Sequence, residues 1–297
     1  MSIFESLQHL ALDAIGHRVR SIAGSTSSLE DFKEPLGDKG LFGPDSVAWK
    51  VHADFTAMMV GGLSSLIVQS LHPRALAAVW DHSDFRGNLK ARLGRTAYFV
   101  AATTYGSDAL AMGAIRRVNA IHANIRGVDR HGRPYVANEP ELVRWVHLVE
   151  VTSFLSAYQH LSLTPLGWKE CDQYLAEMAQ VGHLLGAVDL PVNWASTHSE
   201  LLSFLNVLEF DDRAQEILRV VESYPSDFFD KPFMTLVLQS AFDVMPTWAL
   251  SLIGREGACY ARKEATRCAM QIISLPIQWT LDRRGVSAVA RQRVEST

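Results

Sequence analysis

Along most of this chain, apolar residues recur at three- and four-residue spacing, the period of an amphipathic helix. No long alternating strand pattern or βαβ rhythm interrupts it. The pattern predicts an N-terminal amphipathic helix over about residues 2–22 and a Ser/Gly/Pro-containing connector from Gly24 to Pro44. Ser46 can cap the next element, and a buried helical stretch then runs to His72. There Pro73 forces a break and a restart, because proline lacks the amide hydrogen a helix interior needs. Helices are expected over about 73–83, 87–105 and 107–126. The turn-rich segment GVDRHGRPYVAN separates them from a helix opening near Asn138, with Asn138 as cap, Pro140 in the first turn and Glu141 at capping-box spacing. Further helices fall at about 166–186, 197–208, 211–222, 230–252 and 260–280, with Pro246 and Pro276 kinking or interrupting the last two. With no internal repeat or low-complexity segment, residues 1–297 read as one globular all-α domain.

Composition narrows the class. A chain of 297 residues, 48% hydrophobic and 20% charged, can bury a large core. Its net charge of −4 points to neither nucleic acid nor a membrane surface as partner. Cys171, Cys259 and Cys268 are scattered and lack CxxC spacing, which argues against a disulfide framework or thiolate metal site and for a reducing compartment. The N-terminus carries an acid at position 5 and no basic leader, so a cytoplasmic location is expected. Phe55–Leu71, the most apolar stretch, is interrupted by Gly61, Gly62, Ser64, Ser65 and Gln69, and a buried core helix fits it better than a membrane span.

One residue breaks the apolar pattern. Ile115, Val118, His122 and Ile125 share a helical face that should turn inward, so His122 is an imidazole on a core stripe. Such a histidine is commonly a core residue bonded to a carbonyl or water. It can also be an axial metal ligand. The preceding helix places Arg92, Arg95 and Thr96 on one face, and a cationic and hydroxyl cluster opposite a buried imidazole suits a haem iron. From Asp84 to Tyr135, nine cationic side chains stand against three aspartates, a net +6 in a chain of −4. That run is a solvated basic face, or a set of anchors for an acidic ligand such as haem propionates.

Two further constellations are candidates. His147 and Glu150 lie one turn apart, as metal ligands or as a hydrogen-bonded pair supporting a pocket. The chain has no ExxH to complete a carboxylate-bridged metal site. His72 and Arg74 flank the helix break at Pro73, as a cap and a surface cation or as a binding pair for an anion. No GxSxG, HExxH, GxxxxGK[ST] or GxGxxG after a strand is present, which disfavours serine hydrolase, zinc protease, P-loop and Rossmann chemistry.

The runs GDKGLFGPDSVAWKVHAD (37–54), LHPRALAAVWDHSDF (71–85), RLGRTAYFVAATTYG (92–106), IRRVNAIHANIRGVD (115–129), GRPYVANEPELVRWVH (132–147) and EMAQVGHLLG (177–186) resemble the MpaB-type oxygenase family, which includes the latex-clearing proteins. The resemblance implies haem b and dioxygen chemistry in a pocket between the central helices. It implies His122 as the proximal iron ligand through Nε2, its other ring nitrogen held by a carbonyl or carboxylate. It places Arg92, Arg95 and Thr96 on the distal side as catalytic groups. Arg95 stands where that family's latex-clearing branch has a lysine; an arginine stays protonated and only donates hydrogen bonds, which implies an open distal position. His72, Arg74, His147 and Glu150 complete the expected cofactor-binding set. The function so implied is a haem-dependent oxygenase acting with O2 on a hydrophobic small molecule. A non-catalytic haem-binding or gas-sensing protein and a cofactor-free helical interaction protein are the alternatives. A homodimer is a further possibility for the C-terminal helices.

Overall fold

The computed structural model describes residues 28–223 and 230–296, together with Gly16. The amphipathic helix expected over residues 2–22 otherwise lies outside the described residues. Helices dominate in this order: α1 Val47–His52, α2 Phe55–Gln69, α3 Pro73–His82, α4 Phe85–Tyr105, α5 Asp108–His122, α6 Pro140–Leu161, α7 Trp168–Leu184, α8 Trp194–Ser203, α9 Asp212–Glu222, α10 Lys231–Asp243, α11 Thr247–Leu252, α12 Tyr260–Arg284 and α13 Val286–Glu295. Between α5 and α6 runs a short antiparallel hairpin, β1 Arg126–Val128 with β2 Pro134–Val136, in which Gly127 faces Tyr135. The fold is all-α, as the periodicity predicts.

Helix α2 is the centre. Val60, Leu63, Ile67 and Val68 are buried with Ala57, Ser64 and Ser65, so it is covered nearly all round, as an apolar helix without a polar face must be. It packs most extensively on α6 and also touches α1, α9, α10 and α12. The crossing with α6 is close because Gly61 has no side chain. A Cβ there would lie 2.9 Å from both the Phe154 Cα and the Ser153 carbonyl oxygen. Among the described residues no single helix is long and apolar enough to cross a membrane; α2 and α3 pass such a test only as a pair bent by 106° at the His72–Pro73 break.

Side-chain caps fix most starts. Ser46 accepts from the Trp49 amide, Asp54 from Ala57, Asp84 from Gly87 and Ser107 from Leu110. Glu177 on α7 reaches across to the Val47 and Ala48 amides at 3.3 and 2.7 Å, which ties the start of α1 to α7. His72 caps α3, its Nδ1 facing the Ala75 amide at 3.4 Å, with Pro73 in the first turn.

Several local expectations change. The cap of α6 is Glu139, not Asn138, and no side chain bonds its first amides. Glu139 instead accepts from the Val136 amide and pairs with Arg74, because the hairpin carries the chain into the helix one residue later than the sequence signal suggests. The helix expected to reach residue 126 stops at His122, where the chain turns into β1. The element expected over 197–208 is α8 followed by a 3-10 turn at Leu205–Val207, and the one over 230–252 is split at Pro246 into α10 and α11. Helix α12 runs through Pro276 to Arg284. Helix α13 was not anticipated; its Arg293 is buried and donates to the carbonyls of Asp38 and Phe32 at 3.0 and 3.1 Å, pinning the chain end to the connector.

The α2–α6 crossing makes a paired prediction. Gly61→Ala should destabilise the fold by about 1–3 kcal/mol, since the methyl group meets backbone that cannot yield. Gly62→Ala, whose Cβ would meet only the Phe154 ring edge at 3.9 Å, should be neutral or stabilising. Chemical denaturation of both variants checks the contrast.

Candidate functional site

The short link at Gly106–Ser107 folds α5 back along α4, and the two helices pack together. Tyr98 on α4 accordingly feels the charge of Arg117 on α5. At the far end of this pair, α3 closes the assembly. His82 Nε2 lies 3.2 Å from the Arg126 carbonyl oxygen, and the next residue, Ser83, accepts from Arg92 at 2.9 Å. These two bonds bring the Arg92 turn of α4 and the last turn of α5 to one place.

His122 sits there, half-buried, on the expected stripe with Ile115 buried and Val118 and Ile125 half-buried. Burial lowers its pKa, so the ring is neutral at pH 7. Its Nδ1 is buried and has no hydrogen-bond partner, so the carbonyl or carboxylate expected to hold that nitrogen is not in place. On the adjoining face of the same turn runs an open groove of about 610 Å³, lined by His82, Arg117, Ala120, Ile121, Asn124 and Ile125 but not by the His122 ring itself. Ile125 belongs both to this groove and to the His122 stripe. The neutral ring has a lone pair that could serve a metal, and its orphaned Nδ1 leaves one ring nitrogen without a protein partner. Among the described residues no three His, Cys, Asp or Glu side chains are placed to hold a metal ion on their own.

The RxxRT face is not buried as a unit. Arg92 is half-buried, and burial together with the neighbouring Arg95 lowers its pKa to about 10. Arg95 and Thr96 are exposed, and the Thr96 hydroxyl faces the Arg92 carbonyl at 3.4 Å. A desolvated guanidinium with a like charge beside it favours an anion nearby. Much of the remaining basic run is structural. Arg86 stacks over Trp80 at 3.8 Å, Arg130 bonds Asp211 and Asp212, and Arg133 bonds Asp129.

The inner wall of the site forms around the C-terminus of α7. Asn119, one turn before His122, donates to the Leu184 carbonyl at 2.9 Å. Two residues earlier, Gly182 leaves room for His147; a Cβ there would stand 2.9 Å from its Nε2. Burial, then the charge of His183, lowers His147 to about 4, which keeps it neutral. Glu150, one turn further along α6, has no hydrogen-bond or ion-pair partner among the described residues. It keeps some accessible surface, yet burial pushes its carboxyl up to about 7. Together these place it in a recess of the interior. The expected His147–Glu150 hydrogen bond is not made.

Arg74 and His72 lie elsewhere in purpose. Arg74 donates to the Pro134 carbonyl and pairs with Glu139 and Glu141, fastening the hairpin to α6. His72 is occupied as the cap of α3, and burial, then the Arg74 charge, lowers it to about 4.

Of the groove liners, sequence reasoning counted Arg117 only within the basic run and did not select His82 or Asn124. A buried chain was also missed: His52 bonds the Thr104 hydroxyl at 2.7 Å and the Tyr174 hydroxyl at 3.0 Å, and Tyr174 feels the Glu150 charge. Only the helical face 117–121–124 beside His122 gave a signal for the groove. His52 and Tyr174 are far apart in the chain, and no spacing rule joins them.

Glu150→Gln tests the recess. The variant should match the parent below pH 4.5, where the carboxyl is neutral in both the folded and the unfolded chain. Between there and about pH 7 the unfolded chain ionises first, so the parent should lose about 1.4 kcal/mol per pH unit relative to the glutamine variant. Denaturant titrations at pH 4 and pH 8 read the difference; equal stability at both would put Glu150 in water.

No curated protein and no solved structure matches the chain. Residues 49–274 match the family model described as the ER-bound oxygenase mpaB/B'/Rubber oxygenase, catalytic domain. The match spans the groove, His122, His147 and Glu150, and the chain belongs to this oxygenase family.

Proposed function

We propose that this protein is a haem b-dependent oxygenase that uses O2 on a hydrophobic small molecule in the cytoplasm. The observation that carries the reading is His122: a neutral imidazole with a buried, unpartnered Nδ1, next in the chain to the groove liner Ile121 and within the region matched to an oxygenase catalytic domain.

His122 would hold the iron through a ring nitrogen. Its low pKa matters because only the unprotonated ring has a lone pair to give. Arg117, on the groove wall, would pair with an acidic group of the cofactor, and the half-buried Arg92 would gain from a nearby anion. Bound there, haem would supply the redox chemistry that activates O2.

The chain's own residues handle water and protons. Ala120, Ile121 and Ile125 give the groove an apolar flank suited to an oxidisable hydrocarbon substrate. Glu150, with its carboxyl near 7, can take up or release a proton at its Oε atoms close to neutral pH. The Tyr174 hydroxyl lies within reach of that charge and is bonded onward to His52, so a proton on the carboxyl has polar neighbours on the α7 side. His147 stays neutral beside it and adds no competing charge.

The test is reconstitution with haem b. The parent should bind it stoichiometrically with a Soret band, and His122→Ala should lose both while keeping its helical circular dichroism. Retention of haem with an unchanged spectrum in the variant would refute His122 as the ligand. Oxygen consumption by the reconstituted parent with unsaturated hydrophobic compounds then tests the activity.

A further inference from the structure

Helix α12 has two different faces. Thr266, Met270 and Thr280 turn inward and are buried. The opposite face carries Ala261, Ala265, Cys268, Ile272, Leu275 and Trp279, at alternating four- and three-residue steps. This is the spacing of a coiled-coil seam; Ala261, Ala265, Cys268, Ile272 and Leu275 are exposed, and Trp279 is half-buried with the Arg283 guanidinium 4.8 Å over its ring. Ile272 is 69% exposed, Leu275 56%, and Tyr260 at the start of the helix 80%. Gln271 donates to the Leu161 carbonyl, which brings Leu163, 70% exposed, to the edge of the same face. A contiguous apolar surface of this kind marks an association site.

The residue sizes along the seam indicate the occupant. Its first half is small, Ala261, Ala265 and Cys268, and its second half is large, Ile272, Leu275 and Trp279. Two copies laid parallel would set small against small at one end and large against large at the other. Laid antiparallel about a two-fold axis, every layer holds one small and one large side chain. We propose that α12 is the two-fold interface of a homodimer. In it Ala261 meets Trp279 of the second copy, Ala265 meets Leu275, and Cys268 meets Ile272.

Charge agrees with that register. The flanking Arg262 would face Gln278 of the second copy and Glu264 would face Pro276, so no like charges oppose one another. Arg262 is already paired with Asp243, and Glu264 with Arg267, in their own chain. From Ala261 to Trp279 the seam is about 28 Å long at 1.5 Å per residue. Pairing over that length, with Leu163 and Tyr260 at the margins, buries on the order of 1,000 Å² in total, enough for a specific interface. An isologous contact of this kind is also the commonest route to a symmetric dimer. None of this rests on the haem reading.

Sedimentation of the full chain should give twice the 33.0 kDa monomer mass. Ile272→Glu, at an exposed position, should give the monomer mass with unchanged helical circular dichroism, and its thermal midpoint should no longer rise with protein concentration as the parent's does. In a Cys259→Ser background, Ile272→Cys should form a covalent dimer under mild oxidant, and adding Cys268→Ser should abolish it. A parent that stays monomeric at high micromolar concentration overturns the proposal. So does a dimer that Ile272→Glu leaves intact, or a parent that remains monomeric while binding neutral phosphatidylcholine vesicles through this face.

Discussion

The close crossing of α2 and α6 at Gly61 is the contact on which the rest of the molecule depends. Helix α2 has no polar face to give to water, so its burial requires partners on every side. Helix α6 can be the nearest of them only because Gly61 lets the Phe154 and Ser153 backbone approach within the space a methyl group would need. That approach sets the line of α6, and with it the direction in which His147 and Glu150 leave the helix. It also leaves the far end of α2 to break at His72–Pro73, from which α3 returns to meet the end of α5.

The site is built where helix ends converge rather than along one helix face. The C-terminus of α7 receives Asn119 from α5 and makes room for His147 from α6 at Gly182. Burial then governs the chemistry of each group. It holds His122 and His147 neutral, lifts the Glu150 carboxyl towards neutrality, and lowers Arg92, in each case by disfavouring the charged form.

Much of the fold was legible because helical periodicity is a local signal. The stripe through Ile115 and His122, the caps at Ser46 and Ser107, and the break at Pro73 all depend on residues within one or two turns. Misreadings arose where a long-range contact outweighed a local one. Asn138 carries the better capping side chain, but the hairpin and the Arg74 pair draw Glu139 into the cap position. Helix α13 is held by contacts its own sequence does not show: Ala290 packs in a cluster with Phe32, Trp49 and Tyr105, and Arg293 reaches carbonyls at the other end of the chain. Arg95 and Thr96 share a helical turn with Arg92, as spacing requires, but spacing alone could not say that they face water.

The sequence by itself determined the helical class, the order of the elements and the anomaly of His122, since each follows from residue type and short-range spacing; membership of an oxygenase family came from the likeness of its motifs to that family. Only the tertiary structure decided that the buried His122 Nδ1 has no partner, that Glu150 has none among the described residues while burial raises its carboxyl, and that Arg74 is spent on the hairpin. Those properties are matters of desolvation and of contacts between residues far apart in the chain. Such contacts exist only once α2 has been surrounded and the other helices have been fixed against it.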